Sequence, residues 1–93
     1  MDAPLVRLLL TAIAENKPSH IQRGELSEAV AWMKQRKWQS RKDDISKEEF
    51  NPTMAAAADA AGKAVIQFEN GNIEAAKPYA LEALKRFTES GIG

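Results

Sequence analysis

Cysteine is missing from this sequence altogether, which excludes disulfides and thiolate chemistry. Histidine occurs once, at His20. One such side chain cannot build a zinc site of the usual kind, which draws on Cys and His first. His20 therefore reads as a surface or capping residue, and no metal is expected. The five glycines are dispersed, so there is no glycine-rich phosphate loop. Neither sign of charge is in excess: 13 basic and 13 acidic residues give a formal net charge of +0. No global field then favours nucleic acid or an anionic membrane. The apolar run from Leu5 to Ala14 is interrupted by Arg7 and preceded by Asp2. It is too short to span a bilayer and lacks a basic leader, so neither an anchor nor a signal peptide is expected, and a cytoplasmic location is. No stretch alternates apolar and polar residues over a useful length, so no sheet is expected.

What is present in quantity is alanine, at sixteen of 93 positions. Such a composition is rich in helix propensity but thin in apolar volume. An apolar share of 44% with 28% charged residues separates the chain from disordered sequences. The length suits one domain over residues 1–93, with a stability of a few kcal/mol rather than tens.

The periodicity predicts an all-α fold, a small bundle of four main helices over about 3–15, 20–37, 52–69 and 73–89. In the first, Leu5, Leu8, Leu9, Ala12 and Ile13 recur at helical spacing, and Asn16-Lys17-Pro18 ends it. Ser19 and Gln22 have capping-box spacing for the start of the second, although Gly24 weakens that turn. Beyond it Leu26, Ala29, Val30, Met33 and Lys37 share a face, with Trp32 at its edge. Residues 38–51 read as an irregular charged connection, with one short helical turn near 46–50 suggested by Ser46 and Glu49. Asn51-Pro52 is a strong start signal. It opens a helix carrying Met54, Ala57, Ala58, Ala61, Val65 and Phe68, which Asn70-Gly71 stops. Asn72 caps the last helix, whose stripe is Ile73, Ala76, Ala80, Ala83, Leu84 and Phe87. Pro78 deletes one of its backbone hydrogen bonds and should bend it.

From Ala57 to about Ser90 the chain resembles a single tetratricopeptide-type helical hairpin. Ala64, Ala76 and Ala83 fill the small positions where the two helices of that repeat meet, Gly71-Asn72-Ile73 matches its turn, and Tyr79 and Ala83-Leu84 fall on its aromatic and Ala-Leu positions. Ala60 and Lys63 stand where the repeat has a large aromatic and a leucine, and Thr88 replaces its closing proline. No second copy lies about 34 residues upstream. The resemblance implies an alanine-packed hairpin of that style rather than an array.

The strongest local anomaly is the cluster Lys34, Arg36, Lys37, Trp38, Arg41 and Lys42, five positive charges around a tryptophan with no acid among them. Trp and Arg are enriched at the energetic centres of protein interfaces. Trp38 has no place in the stripe of the preceding helix, so it is either an exposed anchor for a protein partner or a plug folded onto the end of the core. A second reading makes the segment a phosphate-contacting patch with a base stacked on Trp38. Asp43, Asp44, Glu48 and Glu49 follow at once and oppose that. Tyr79 and Leu81 are weaker candidates, since the apolar residues Val65, Ile66, Phe68, Tyr79 and Leu81 cannot all face one side of two helices.

Catalysis would need two carboxylates in an apolar surround, or a hydroxyl with a base and an orienting acid. Asp43-Asp44 and Glu48-Glu49 are adjacent pairs whose members point apart on a helix. The expectation is a chain that is not an enzyme and uses no cofactor. By elimination it binds protein, as an adaptor, accessory subunit or inhibitor of the kind found in bacteria or phage. Nucleic-acid binding through residues 34–42 is the alternative and homo-oligomerisation a third, with no membrane partner.

Overall fold

The computed structural model describes residues 1–40 and 48–92. Four helices form the expected small all-α bundle. Helix α1 (Ala3–Ala14) starts at Asp2, whose carboxylate accepts a hydrogen bond from the Leu5 amide at 3.0 Å. It ends where Asn16 turns left-handed (φ 53°). A 3-10 turn, Pro18–His20, follows.

Helix α2 runs Glu25–Arg36, so its expected start near residue 20 is corrected. Gly24 is left-handed (φ 84°), a conformation that a continuous helix cannot pass through. The backward reach expected of the Gln22 side chain is made instead by the Glu25 carboxylate, which accepts from the Gln22 backbone amide at 2.7 Å.

After α2 the chain forms two three-residue strands, β1 (Trp38–Ser40) and β2 (Glu48–Phe50), paired antiparallel with Trp38 opposite Phe50. This corrects two expectations: the chain contains a short strand pair, and residues 48–50 are strand rather than helical turn. Ser46 lies outside the described residues, as does half of the 38–51 connection. The reason is energetic. A single isolated turn must meet the cost of helix nucleation, whereas an aromatic cross-strand pair contributes roughly 0.2–1 kcal/mol. The Asn51 amide continues the pairing by donating to the Lys37 carbonyl at 2.6 Å.

Helices α3 (Pro52–Glu69) and α4 (Ile73–Glu89) match their expected bounds. Asn51 caps α3 by accepting from the Met54 amide at 2.9 Å. Gly71 takes the left-handed turn between the helices (φ 83°). Asn72 occupies the cap position of α4, but its side chain bonds the Gln67 side chain at 2.9 Å rather than α4 itself. Pro78 sits inside α4 without ending it.

The core follows from the alanines. Ala57, Ala61 and Ala64 of α3 and Ala76, Ala80 and Ala83 of α4 are all fully buried. Side chains this small let helix axes approach closely. Helix α1 lies on α4 and α2 on α3. The volume that alanine cannot fill is supplied by Val6, Leu9, Ile13, Met33, Met54 and Phe87. Each of these larger side chains stabilises by about 1.5–3 kcal/mol.

On α1 the expected stripe is wrong at one point. Leu8 is 66% exposed, and Val6 and Leu10 take the buried positions beside Leu9 and Ile13. In a helix this apolar, two overlapping stripes are available, and docking on α4 selects between them. Among the described residues no helix is long and apolar enough to cross a membrane.

Candidate functional site

The candidate site is built at the end of α2. Lys34 and Arg36 occupy its last turn, where positive charge complements the helix dipole. Both are exposed and Lys37 is half-buried. The Arg36 guanidinium does not turn toward Trp38. It lies 4.7 Å over the ring of Trp32, which is half-buried at the core edge, as its sequence position implied, and 6.0 Å from Phe87. Phe87 is covered on another side by Arg7, whose guanidinium stands 4.6 Å from the ring and donates to the Thr88 hydroxyl at 2.9 Å. The Arg7 cation–π contact ties α1 to the end of α4, and the Trp32–Phe87 ring contact ties α2 to it.

Trp38 stands apart from that assembly. Strand β1 carries it away from the core, and it is 50% exposed, as is Phe50 opposite it. The two rings are 5.0 Å apart and tilted by 51°, a geometry that aromatic pairs favour. Of the two readings of Trp38, the plug is not what the chain adopts. Phe50 escaped the sequence reading. The available signal was an aromatic residue at the far end of the same aperiodic segment, just before Asn51-Pro52. Arg41 and Lys42, the other two expected contact residues, lie outside the described residues.

Tyr79 and Leu81 are both exposed on α4, but elsewhere. Lys63, paired with Asp59 at 3.2 Å, reaches to 6.0 Å from the Tyr79 ring. Leu81 borders a hollow of about 480 Å³ between the end of α1 and the start of α4, lined also by Ala14, Ile73 and Lys77. Tyr79 is eleven residues before Ser90, the C-cap of α4 whose carbonyl bonds the Asn51 side chain next to β2, or roughly 16 Å along the helix. The structure therefore does not join Tyr79 or Leu81 with Trp38.

A further groove of about 360 Å³ runs between α2 and α3, lined by Val30, Ala31, Val65 and Ile66, with Lys34 and Glu69 also bordering it.

No polar or charged residue among the described residues is buried, and no cluster of three or more His, Asp or Glu among them could hold a metal ion. One guanidinium is perturbed: the Glu82 carboxylate, hydrogen-bonded to it at 2.8 Å, raises the pKa of Arg86 above its ordinary value, with Glu89 assisting.

No protein-family model matches the chain, and neither a curated protein nor a solved structure is significantly similar to it.

Proposed function

We propose that this chain is a non-enzymatic protein-binding module of the cytoplasm, acting as an adaptor, accessory subunit or inhibitor, whose contact surface is the aromatic strand pair at the end of α2. One observation carries the reading. The sequence has six aromatic residues, and two of them, Trp38 and Phe50, form a half-exposed pair outside the core. A small domain gains most stability by burying such rings. Keeping two of them wet supports a role in contact with another surface, because aromatic side chains anchor interfaces with few rotatable bonds.

Lys37 directly precedes Trp38 in the chain, and Lys34, Arg36, Arg41 and Lys42 are close in sequence. The partner of best fit therefore offers an apolar socket rimmed by acidic side chains. The α3–α4 hairpin, which we read as tetratricopeptide-like in its alanine packing, serves as the rigid support.

The test is affinity capture from extracts of the native cell, followed by titration calorimetry with the purified partner. Trp38→Ala and Phe50→Ala should each lose the partner, and Lys85→Ala on the far helix should keep it. Equal retention by all three variants would remove the strand pair as the site.

A further inference from the structure

The groove between α2 and α3 belongs neither to the core nor to the aromatic strand pair. Its apolar middle is made by Val30, Ala31, Val65 and Ile66. Ile66 is 58% exposed, on a helix whose other branched aliphatic residue, Val65, is buried. The floor is open at Gly62, where even an added Cβ would meet only Val30 Cγ1, at 3.9 Å.

The two ends of the groove carry opposite charge. Helices α2 and α3 run antiparallel, since Gly24 and Leu26 at the start of α2 lie beside Phe68 and Glu69 at the end of α3. Lys34 thus stands at one end of the groove and Glu69 at the other. Both are exposed, and neither forms an ion pair among the described residues.

We infer that this groove is a self-association surface that takes a second copy of the chain, related to the first by a two-fold axis passing near Val30 and Ile66. An apolar strip with a cation at one end and an anion at the other is complementary to itself under a two-fold rotation. Each Lys34 then meets the Glu69 of the other copy, and the contact is made twice, as in any isologous interface. A side-by-side arrangement without that rotation would set Lys34 against Lys34. Near the axis Ile66 of each copy packs against Val30 and Ile66 of the other, and the small residues Ala31 and Gly62 allow close approach. The zero net charge leaves no overall repulsion between copies.

The inference is independent of the aromatic strand pair, and the experiment keeps them apart. Sedimentation equilibrium at low salt, from about 10 µM to about 1 mM, covers the range in which modest interfaces populate dimers. A reversible monomer–dimer equilibrium is expected, unchanged by Trp38→Ala. Ile66→Glu should weaken it by roughly 30-fold or more, the size of a central interface substitution. Lys34→Glu should weaken it several-fold, and adding Glu69→Lys should restore it, because the double exchange rebuilds both ion pairs with their signs reversed. Far-ultraviolet dichroism confirms folding of each variant. A monomer mass throughout the range overturns the inference, and so does a dimer indifferent to Ile66→Glu. A double exchange no tighter than Lys34→Glu alone overturns the two-fold geometry.

Discussion

The Asn51 side-chain amide donates a hydrogen bond to the Ser90 carbonyl at 3.1 Å, across 39 residues of sequence. The same side chain caps α3 through the Met54 amide, and its backbone amide bonds the Lys37 carbonyl. One residue therefore joins the end of α2, the start of α3 and the end of α4. Replacing it by alanine removes a cap and a tertiary bond together and should cost about 2 kcal/mol. Asn51→Asp keeps the capping acceptor but lacks the donor for Ser90, and should cost about 1 kcal/mol. Urea unfolding of the two variants checks this, and an Asn51→Asp variant as stable as the parent would deny the Ser90 bond a share in stability.

Phe87 is the largest side chain fully removed from solvent, and it meets Trp32 and Arg7 at once. Phe87→Ala should cost about 3–5 kcal/mol, which rivals the whole stability expected of a domain this size. Phe87→Leu should leave a folded chain weakened by about 1 kcal/mol. Its Trp32 emission should change while its helical dichroism persists. Unaltered fluorescence would mean that Trp32 does not sense the Phe87 ring.

Two glycines make opposite predictions. At Gly62, inside α3, an added methyl makes only an ordinary contact with Val30 Cγ1 at 3.9 Å, so Gly62→Ala should raise stability by about 1 kcal/mol through helix propensity. At Gly71 the backbone φ is 83°, so Gly71→Ala should lower it by about 1 kcal/mol although nothing stands nearby. Thermal melts should show midpoints displaced in opposite directions by roughly 4–8 °C each.

Trp38→Ala should leave the melting midpoint within a few degrees of the parent, because half of the ring is already in water and the strand pair contributes only about 1 kcal/mol. The same variant should abolish partner capture. Any oligonucleotide binding should be weak and insensitive to this substitution. An affinity for single strands that falls steeply with salt, and that Trp38→Ala removes, would favour the nucleic-acid alternative instead.

Helices α3 and α4 could be bounded from sequence because their ends are written locally, in Asn51-Pro52, Asn70-Gly71 and the alanine stripes between. The start of α2 was misplaced because a capping-box spacing competed with Gly24, and only the left-handed backbone decides between them. Leu8 was assigned inward because nine of twelve residues in α1 are large or small aliphatics at overlapping spacings. Which face turns inward is set by α4, some eighty residues away in sequence. At the candidate site, the exposure of Trp38 was foreseen as one of two outcomes. Its partner Phe50 was not, since three-residue strands are too short to alternate visibly and their pairing is nonlocal. Arg36 was counted among the free basic residues, whereas it is occupied by Trp32.

The short ladder between β1 and β2 has a consequence for how this scaffold can vary. Antiparallel partners sit about 5 Å apart, so pairing Ser40 with Glu48 brings the two ends of the intervening stretch to neighbouring points. Whatever sequence bridges those points starts and finishes at one doorway. Lengthening or exchanging it alters closure entropy by only a fraction of a kcal/mol per doubling. Natural drift or deliberate grafting can therefore rewrite the stretch from 41 to 47 while the alanine-seamed hairpin beneath stays as it is.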